Sequence, residues 1–223
     1  LWGELKDSRA LEADCGPAIA RAAAAAVAEA KLEEPFAGLE RDRLKKLANE
    51  WLEVEKKRAP FEVAAREDKR TLKVAGLELS GRIDRLDRLA SGGHALIDYK
   101  SGRPTPNAWL GARPDDPQLP LYALSAPEQI AAVAYAKLQT GGMKYMGFAR
   151  EKDKGFIAEA KDWNALVDGW RRELEALGNG FASGDARVDP KNLLQTCRYC
   201  DLQPLCRVYE RLNPLGEEAE DSE

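Results

Sequence analysis

An α/β fold is predicted by three observations: helical apolar spacing before residue 60, a switch to period-two alternation from Phe61, and a long helical stripe after residue 162. Residues 1–58 read as helical. Leu44, Leu47, Trp51 and Val54 recur three to four residues apart with charges between them, so an amphipathic helix should end near Arg58-Ala59-Pro60. From Phe61 the period is two. Leu72, Val74, Leu77, Leu79 and Ile83 alternate with polar partners around Gly76, which predicts a strand or hairpin running into Gly81-Arg82-Ile83-Asp84. Ser91-Gly92-Gly93 is a turn, 95–100 a short apolar strand with a polar end, and 101–106 a Gly/Pro-rich loop. Next come a helix starting at a proline (117–126), a buried strand (130–138) and further strands at 145–150 and 156–158. Trp163, Leu166, Val167, Trp170, Leu174, Leu177 and Phe181 then form the clearest helical stripe, with the tryptophans as core rather than a cofactor box. The sum is a mixed central sheet flanked by helices, with no internal repeat. Its parts are a helical N-terminal region (1–60), an α/β core (61–185), a cysteine-bearing segment (186–212) and an acidic, disordered tail (213–223).

At 24.6 kDa, 44% hydrophobic and 32% charged, the chain can bury a core and is not disordered throughout. The Ala-rich stretch 18–30 is interrupted by Arg21 and Glu29, so no run approaches the roughly 20 apolar residues of a membrane span. A soluble, cytoplasmic protein is expected. The start Leu1-Trp2-Gly3-Glu4 has neither Met nor a basic leader and predicts a segment of a longer chain. Net charge is −4, which alone argues against a nucleic-acid binder. Five acids fall in 217–223, however, and between Lys56 and Arg103 twelve Lys/Arg stand against seven Asp/Glu. That basic middle is compatible with DNA or with an ordinary solvated surface.

The segment Ile97-Asp98-Tyr99-Lys100 carries the most chemical information. Residues two apart on a strand share a face, so Asp98 and Lys100 project together, exposed at a strand end, while Ile97 and Tyr99 face the other way. Asp84 lies fourteen residues earlier across a Gly-Gly turn, so antiparallel pairing would set it beside Asp98. Two carboxylates aimed at one point suit Mg²⁺ or Mn²⁺. A lysine at the edge would orient water and stabilise charge at phosphorus. Taken alone, D-x-K is also what a surface salt bridge looks like.

Three strings occur in order: Gly81-Arg82-Ile83-Asp84-Arg85-Leu86-Asp87, Ile97-Asp98-Tyr99-Lys100-Ser101-Gly102 and Pro117-Gln118-Leu119-Pro120-Leu121-Tyr122-Ala123. Together they resemble the RecB-like branch of the PD-(D/E)XK nucleases, whose motifs read GxxDR(I/L)D, DYK(T/S)G and QLxLY. Within it they are similar to the C-terminal nuclease domain of AddB-type helicase–nucleases. The resemblance implies a restriction-endonuclease-like core over 61–185. Asp84 and Asp98 would be its metal-binding acids and Lys100 its catalytic lysine. Gln118 and Tyr122, one helical turn apart, would approach the site and the DNA, although Tyr122 also reads as a core tyrosine. Arg82, Arg85 and Arg103 would follow the phosphate backbone. Asp87 would pair with Arg85 or Arg88. Glu67 is either an additional acid near the metal or a solvated hairpin charge.

The family's helical histidine upstream of GxxD has no counterpart in this sequence, either because that helix is cut off with the N-terminus or because the protein lacks the ligand; the sole histidine, His94, falls at the Gly-Gly turn and is expected to be exposed. Cys197, Cys200 and Cys206 form C-x2-C-x5-C, a cytosolic metal or iron–sulfur spacing rather than a disulfide framework. Zinc and an iron–sulfur cluster both need four ligands. The resemblance implies the C-terminal part of a 4Fe–4S staple, one that a truncated chain would lack, with Cys15 either its fourth ligand or an ordinary helix-end cysteine. The implied protein is a metal-dependent DNA nuclease, of exonuclease type, in DNA end processing and recombinational repair. Its partners would be DNA and a helicase-type subunit or upstream helicase-like region, with no membrane. Two other readings stay open: a catalytically silent DNA-end-binding module and a zinc-stabilised protein-interaction domain.

Overall fold

The helical conformation is disfavoured for a residue that precedes proline, and the N-terminal helices end ahead of Ala59-Pro60. The computed structural model describes residues 1–152 and 156–209. Its N-terminal region is α1 (Trp2–Leu5), a 3-10 turn (Ser8–Glu12), α2 (Gly16–Glu29) and α3 (Phe36–Glu55). The switch to period two at Phe61 starts β1 (Phe61–Val74), which turns back at Ala75-Gly76 into β2 (Leu77–Leu89). Gly76 takes φ 78° in that turn, a conformation open to glycine at no steric cost. Then follow β3 (His94–Lys100), a 3-10 turn (Pro106–Trp109), α4 (Gln118–Ser125), β4 (Ile130–Lys137), β5 (Lys144–Ala149), β6 (Ala158–Glu159) and α5 (Trp163–Ala182).

The six strands form one sheet in sequence order. Pairing is parallel for β3/β4 and β5/β6 and antiparallel elsewhere. The sheet is therefore mixed, with helices packed against it, as the sequence predicts. Alternation on β4 divides the core: Ala132, Ala134 and Ala136 pack with Trp51, Ile97 and Tyr145, while Val133 and Tyr135 pack with Leu86, Leu96, Trp109, Leu119, Trp163 and Trp170. Burying side chains such as Trp51, Trp109 and Trp170 contributes about 1.5–3 kcal/mol or more apiece. Trp163 and Trp170 meet edge to face at 6.1 Å, and Trp170 Nε1 donates to the Trp109 carbonyl at 2.9 Å. Both are core, as expected, whereas Phe181 at the end of the stripe is exposed. The strand predicted at 156–158 arrives later, at Ala158–Glu159, because Phe156 and Ile157 are buried core residues that precede it.

The chain divides into two compact units, Leu1–Asn179 and Gly180–Glu223. The first holds the sheet. Within the second, α6 (Leu193–Thr196) and α7 (Gln203–Cys206) carry the cysteine segment. The acidic tail lies outside the described residues. Among those described, no helix is long and apolar enough to cross a membrane.

Candidate active site

The antiparallel ladder between β2 and β3 runs from Arg88↔His94 to Arg85↔Ile97. Continued by one step, that register would bring Asp84 level with Asp98. There the backbone ladder stops, and the Tyr99 N–H donates instead to Asp84 Oδ2 at 3.0 Å. On its other side β3 stays in the sheet, with Asp98 in register with Tyr135 and Lys100 with Lys137 of β4.

Asp98 is not exposed, contrary to expectation: it is 4% accessible, because β3 is an interior strand between β2 and β4. Lys100 keeps 34% of its side chain accessible and sets Nζ 2.8 Å from Asp98 Oδ2. Asp98 Oδ2 is buried, and the contact it makes is this ion pair with Lys100. Burial pushes the Asp98 carboxyl up; Lys100 opposes this, while the charges of Asp84 and Asp116 add to it. For Lys100 burial acts to lower the ammonium, but Asp98, then Asp116 and Asp84, hold it above the ordinary lysine range.

Asp116 is the acid that motif reading missed. It precedes α4, where Oδ1 accepts from the Gln118 N–H at 3.3 Å and Oδ2 accepts from the Tyr135 hydroxyl at 2.7 Å. Trp109 Nε1 in turn donates to Tyr135 Oη at 2.6 Å. Since Tyr135 is the register partner of Asp98, this chain fixes a third carboxylate on the Asp98 side of the sheet. The available signal was the acid two residues ahead of Gln118.

Gln118 opens α4 and donates through Nε2 to the Tyr122 hydroxyl at 3.3 Å. Tyr122 is buried, and its oxygen accepts from the Arg82 backbone N–H at 3.0 Å. It thereby ties α4 to β2 two residues before Asp84. A cleft of about 720 Å³ lies here, lined by Arg70, Gly81, Arg82, Asp84, Gln118 and Tyr122 among others; Asp98 and Lys100 do not line it.

The three predicted phosphate-contacting arginines separate. Arg82 is exposed and paired with Glu67 at 3.1 Å, and Arg103 is exposed in the loop after β3. Arg85 is 0% accessible, which corrects its assignment as a DNA contact. Side chains alternate across a strand, so the neighbour of Asp84 faces the core. There its guanidinium bonds Glu55 Oε1 at 2.6 Å and both Asp87 oxygens at 2.7 and 2.8 Å. Asp87 also takes Arg58 at 2.9 Å. Glu67 is exposed beside Arg82. His94 begins β3 half-buried rather than exposed, with Nδ1 unpartnered, four residues and about 13 Å of strand from Asp98.

Cys15 is a half-buried helix-end residue whose Sγ lies 3.6 and 3.5 Å from the carbonyls of Ala10 and Ala13. In the second unit Cys197 caps α6, Cys200 follows in the turn and Cys206 ends α7, all three as free thiols. Burial, and then the charges of Cys200 and Cys206, push the Cys197 thiol up.

The donor set at β2/β3 fits a hard divalent cation. It offers two carboxylates from neighbouring strands, one with a buried oxygen lacking a hydrogen bond. Mg²⁺ accepts one or two carboxylates and fills its remaining positions with water and substrate oxygens. Among the described residues no group of three or more His, Cys, Asp or Glu side chains converges on one point, so the protein's share would be these two acids.

A family model described as the PD-(D/E)XK nuclease superfamily matches residues 3–207. No curated protein matches the sequence. A solved structure named "Crystal structure of SSO0001" is 15% identical, over 81% of this chain and 80% of that one, with a TM-score of 0.34.

Proposed function

The chain belongs to the PD-(D/E)XK nuclease superfamily, and on that footing we propose that it is a metal-dependent deoxyribonuclease whose centre is Asp84, Asp98 and Lys100. One observation carries the reading: Asp84 and Asp98 both stand where the β2/β3 ladder ends, near enough for the Asp84 charge to raise Asp98, and the buried Asp98 Oδ2 lies 2.8 Å from Lys100 Nζ. Mg²⁺ or Mn²⁺ at these carboxylates supplies charge neutralisation at the scissile phosphate and activation of water. Lys100, beside Asp98, orients water and stabilises charge on the phosphoryl oxygens. Gln118 and Tyr122 fix the wall of the cleft beside Asp84 and direct Gln118 towards the DNA backbone. Arg82 and Arg103, both exposed, follow phosphates without reading sequence.

The three ordered motifs support the finer assignment to the RecB-like, AddB-type branch. The chain would then be an exonuclease of DNA end processing and recombinational repair, cytoplasmic, working with a helicase-type subunit or helicase-like region. In that reading Cys197, Cys200 and Cys206, which do not converge on one point in this structure, would be drawn together as ligands of a structural 4Fe–4S cluster. The test is degradation of end-labelled linear and closed circular DNA with Mg²⁺ or Mn²⁺, run beside Asp98→Ala and Lys100→Ala. Metal-dependent loss of the linear substrate alone, abolished in both variants, is expected. Intact DNA with end binding retained would favour the catalytically silent module.

A further inference from the structure

Three motif residues have no part in this mechanism: Arg85 and Asp87 after Asp84, and Tyr99 between Asp98 and Lys100. All three face the side of the sheet away from Asp98, where they join Glu55, Arg58 and Tyr145 in a network of two arginines, two carboxylates and two phenols. Arg85 Nη1 donates to Tyr99 Oη at 3.0 Å. Its guanidinium also stacks 3.8 Å from the centroid of the Trp2 ring, and Trp51 meets Tyr99 edge-on at 6.0 Å.

We infer that the Arg85–Tyr99 hydrogen bond is a clasp joining the two acid-bearing strands where their backbone ladder ends, and that Tyr99 is a positioning residue for Asp84. Arg85 is the last β2 residue paired with β3, and the next residue back is Asp84. The paired register ends at Ile97, yet Tyr99 still donates its N–H to Asp84 Oδ2 at 3.0 Å. One residue thus grips β2 twice, by its hydroxyl on Arg85 and by its amide on Asp84. Because Arg85 is itself held by Glu55 and Asp87, the hydroxyl has a fixed anchor. The amide between Asp98 and Lys100 then keeps its aim on Asp84, orienting a ligand from outside the coordination sphere.

The inference rests on the metal-nuclease reading, so its test separates the two. Mn²⁺ binding to the full chain is titrated by calorimetry and by electron paramagnetic resonance for the parent, Tyr99→Phe, Tyr145→Phe and Asp98→Asn, with thermal unfolding of each. Tyr145 is the control: its hydroxyl donates to Glu55 at 2.6 Å in the same network but touches neither site acid. Tyr99→Phe, which keeps the ring against Trp51, should weaken Mn²⁺ about tenfold, at the low end of losses for outer-sphere ligand partners. Tyr145→Phe should lower the unfolding temperature and leave Mn²⁺ affinity unchanged. Parental affinity in Tyr99→Phe, or an equal loss in Tyr145→Phe, would overturn the clasp while Asp98→Asn still reported the metal site. No Mn²⁺ binding by the parent, or unaltered binding by Asp98→Asn, would sink the metal-nuclease reading and the clasp with it.

Discussion

Replacing Gly81 with alanine isolates one steric contact in the first motif. Gly81 does not require a left-handed backbone, so alanine meets no torsional penalty there. Its Cβ would stand 2.5 Å from Tyr122 Cε1, 3.0 Å from Tyr122 Oη and 2.9 Å from Leu72 Cδ1. Carbon atoms settle at about 3.5–4.0 Å, so the Tyr122 ring must withdraw by about 1 Å. The Leu72 methyl can rotate, but the ring is held by its 3.0 Å bond from the Arg82 N–H. Overpacking of this kind costs about 1–3 kcal/mol, and losing the hydrogen bond adds about 1 kcal/mol. Urea unfolding should therefore place Gly81→Ala about 2–4 kcal/mol below the parent at unchanged slope. A double-mutant cycle assigns the cause: with Tyr122→Leu already present, the same substitution should cost at least about 1 kcal/mol less. If Gly81→Ala were as stable as the parent, or cost the same beside Leu at position 122, the contact with Tyr122 would not be the reason for glycine here.

Arg85→Met leaves the buried Glu55 and Asp87 short of a cation and should cost about 3–5 kcal/mol, whereas Arg82→Met, which breaks only an exposed pair, should stay within about 1 kcal/mol; chemical denaturation of both decides whether the two motif arginines differ as their burial says. Glu55 is held below the usual carboxylate range, since Arg85 and Arg58 outweigh the burial that would raise it. With its folded pKa depressed, its contribution is fully present above the ordinary glutamate value of 4.5 and is lost as pH falls through the lower folded value. Unfolding temperature against pH for the parent and Glu55→Gln should thus converge in acid, and curves that stayed parallel would refute the assignment. Asp116→Asn removes a negative charge that raises Asp98, so the Asp98 carboxyl, followed by carbon-13 NMR in the metal-free protein, should titrate at lower pH; an unmoved titration would place Asp116 outside the site.

Alternation and turn signals made most of the sheet legible. The change of period at Phe61, the turn at Gly92-Gly93 and the strand 95–100 that follows it predict an antiparallel pair, and the observed ladder runs from Arg88↔His94 to Arg85↔Ile97, one step short of Asp84 and Asp98. The stripe from Trp163 marks α5 because a 3.6-residue period leaves one buried face. Arg85 was misjudged although the same rule contained the answer. If Asp84 faces the site, its neighbour faces the core, and a core-facing arginine two residues before an aspartate is an ion pair rather than a phosphate ligand. Glu55 and Tyr145, 30 residues before and 60 after Arg85, complete that pair through tertiary packing that no local pattern encodes. Asp116 was hidden likewise. Its place is set by Tyr135, nineteen residues on and in a different strand.

Whether the two strand acids are ordinary charges turns on what burial does to them. A solvated surface pair costs little and contributes about 0–1 kcal/mol. A buried structural pair satisfies its oxygens, as Asp87 does with Arg85 and Arg58 on the far side of the same strands. Asp98 fits neither case. It is as buried as a core residue, its pKa is raised, and it holds an oxygen without a hydrogen bond next to a lysine still one-third accessible. Leaving a buried polar group unsatisfied costs about 1–3 kcal/mol, more for a charged one, and at Asp98 the charge set against that cost is the Lys100 ammonium at 2.8 Å. The fold carries that cost where β2 and β3 part, and it is a cost that a bound cation would relieve. The contrast between Asp87, bonded by two buried arginines, and Asp98, paired with a part-exposed lysine, is the physical argument for treating the second as a ligand and the first as scaffold.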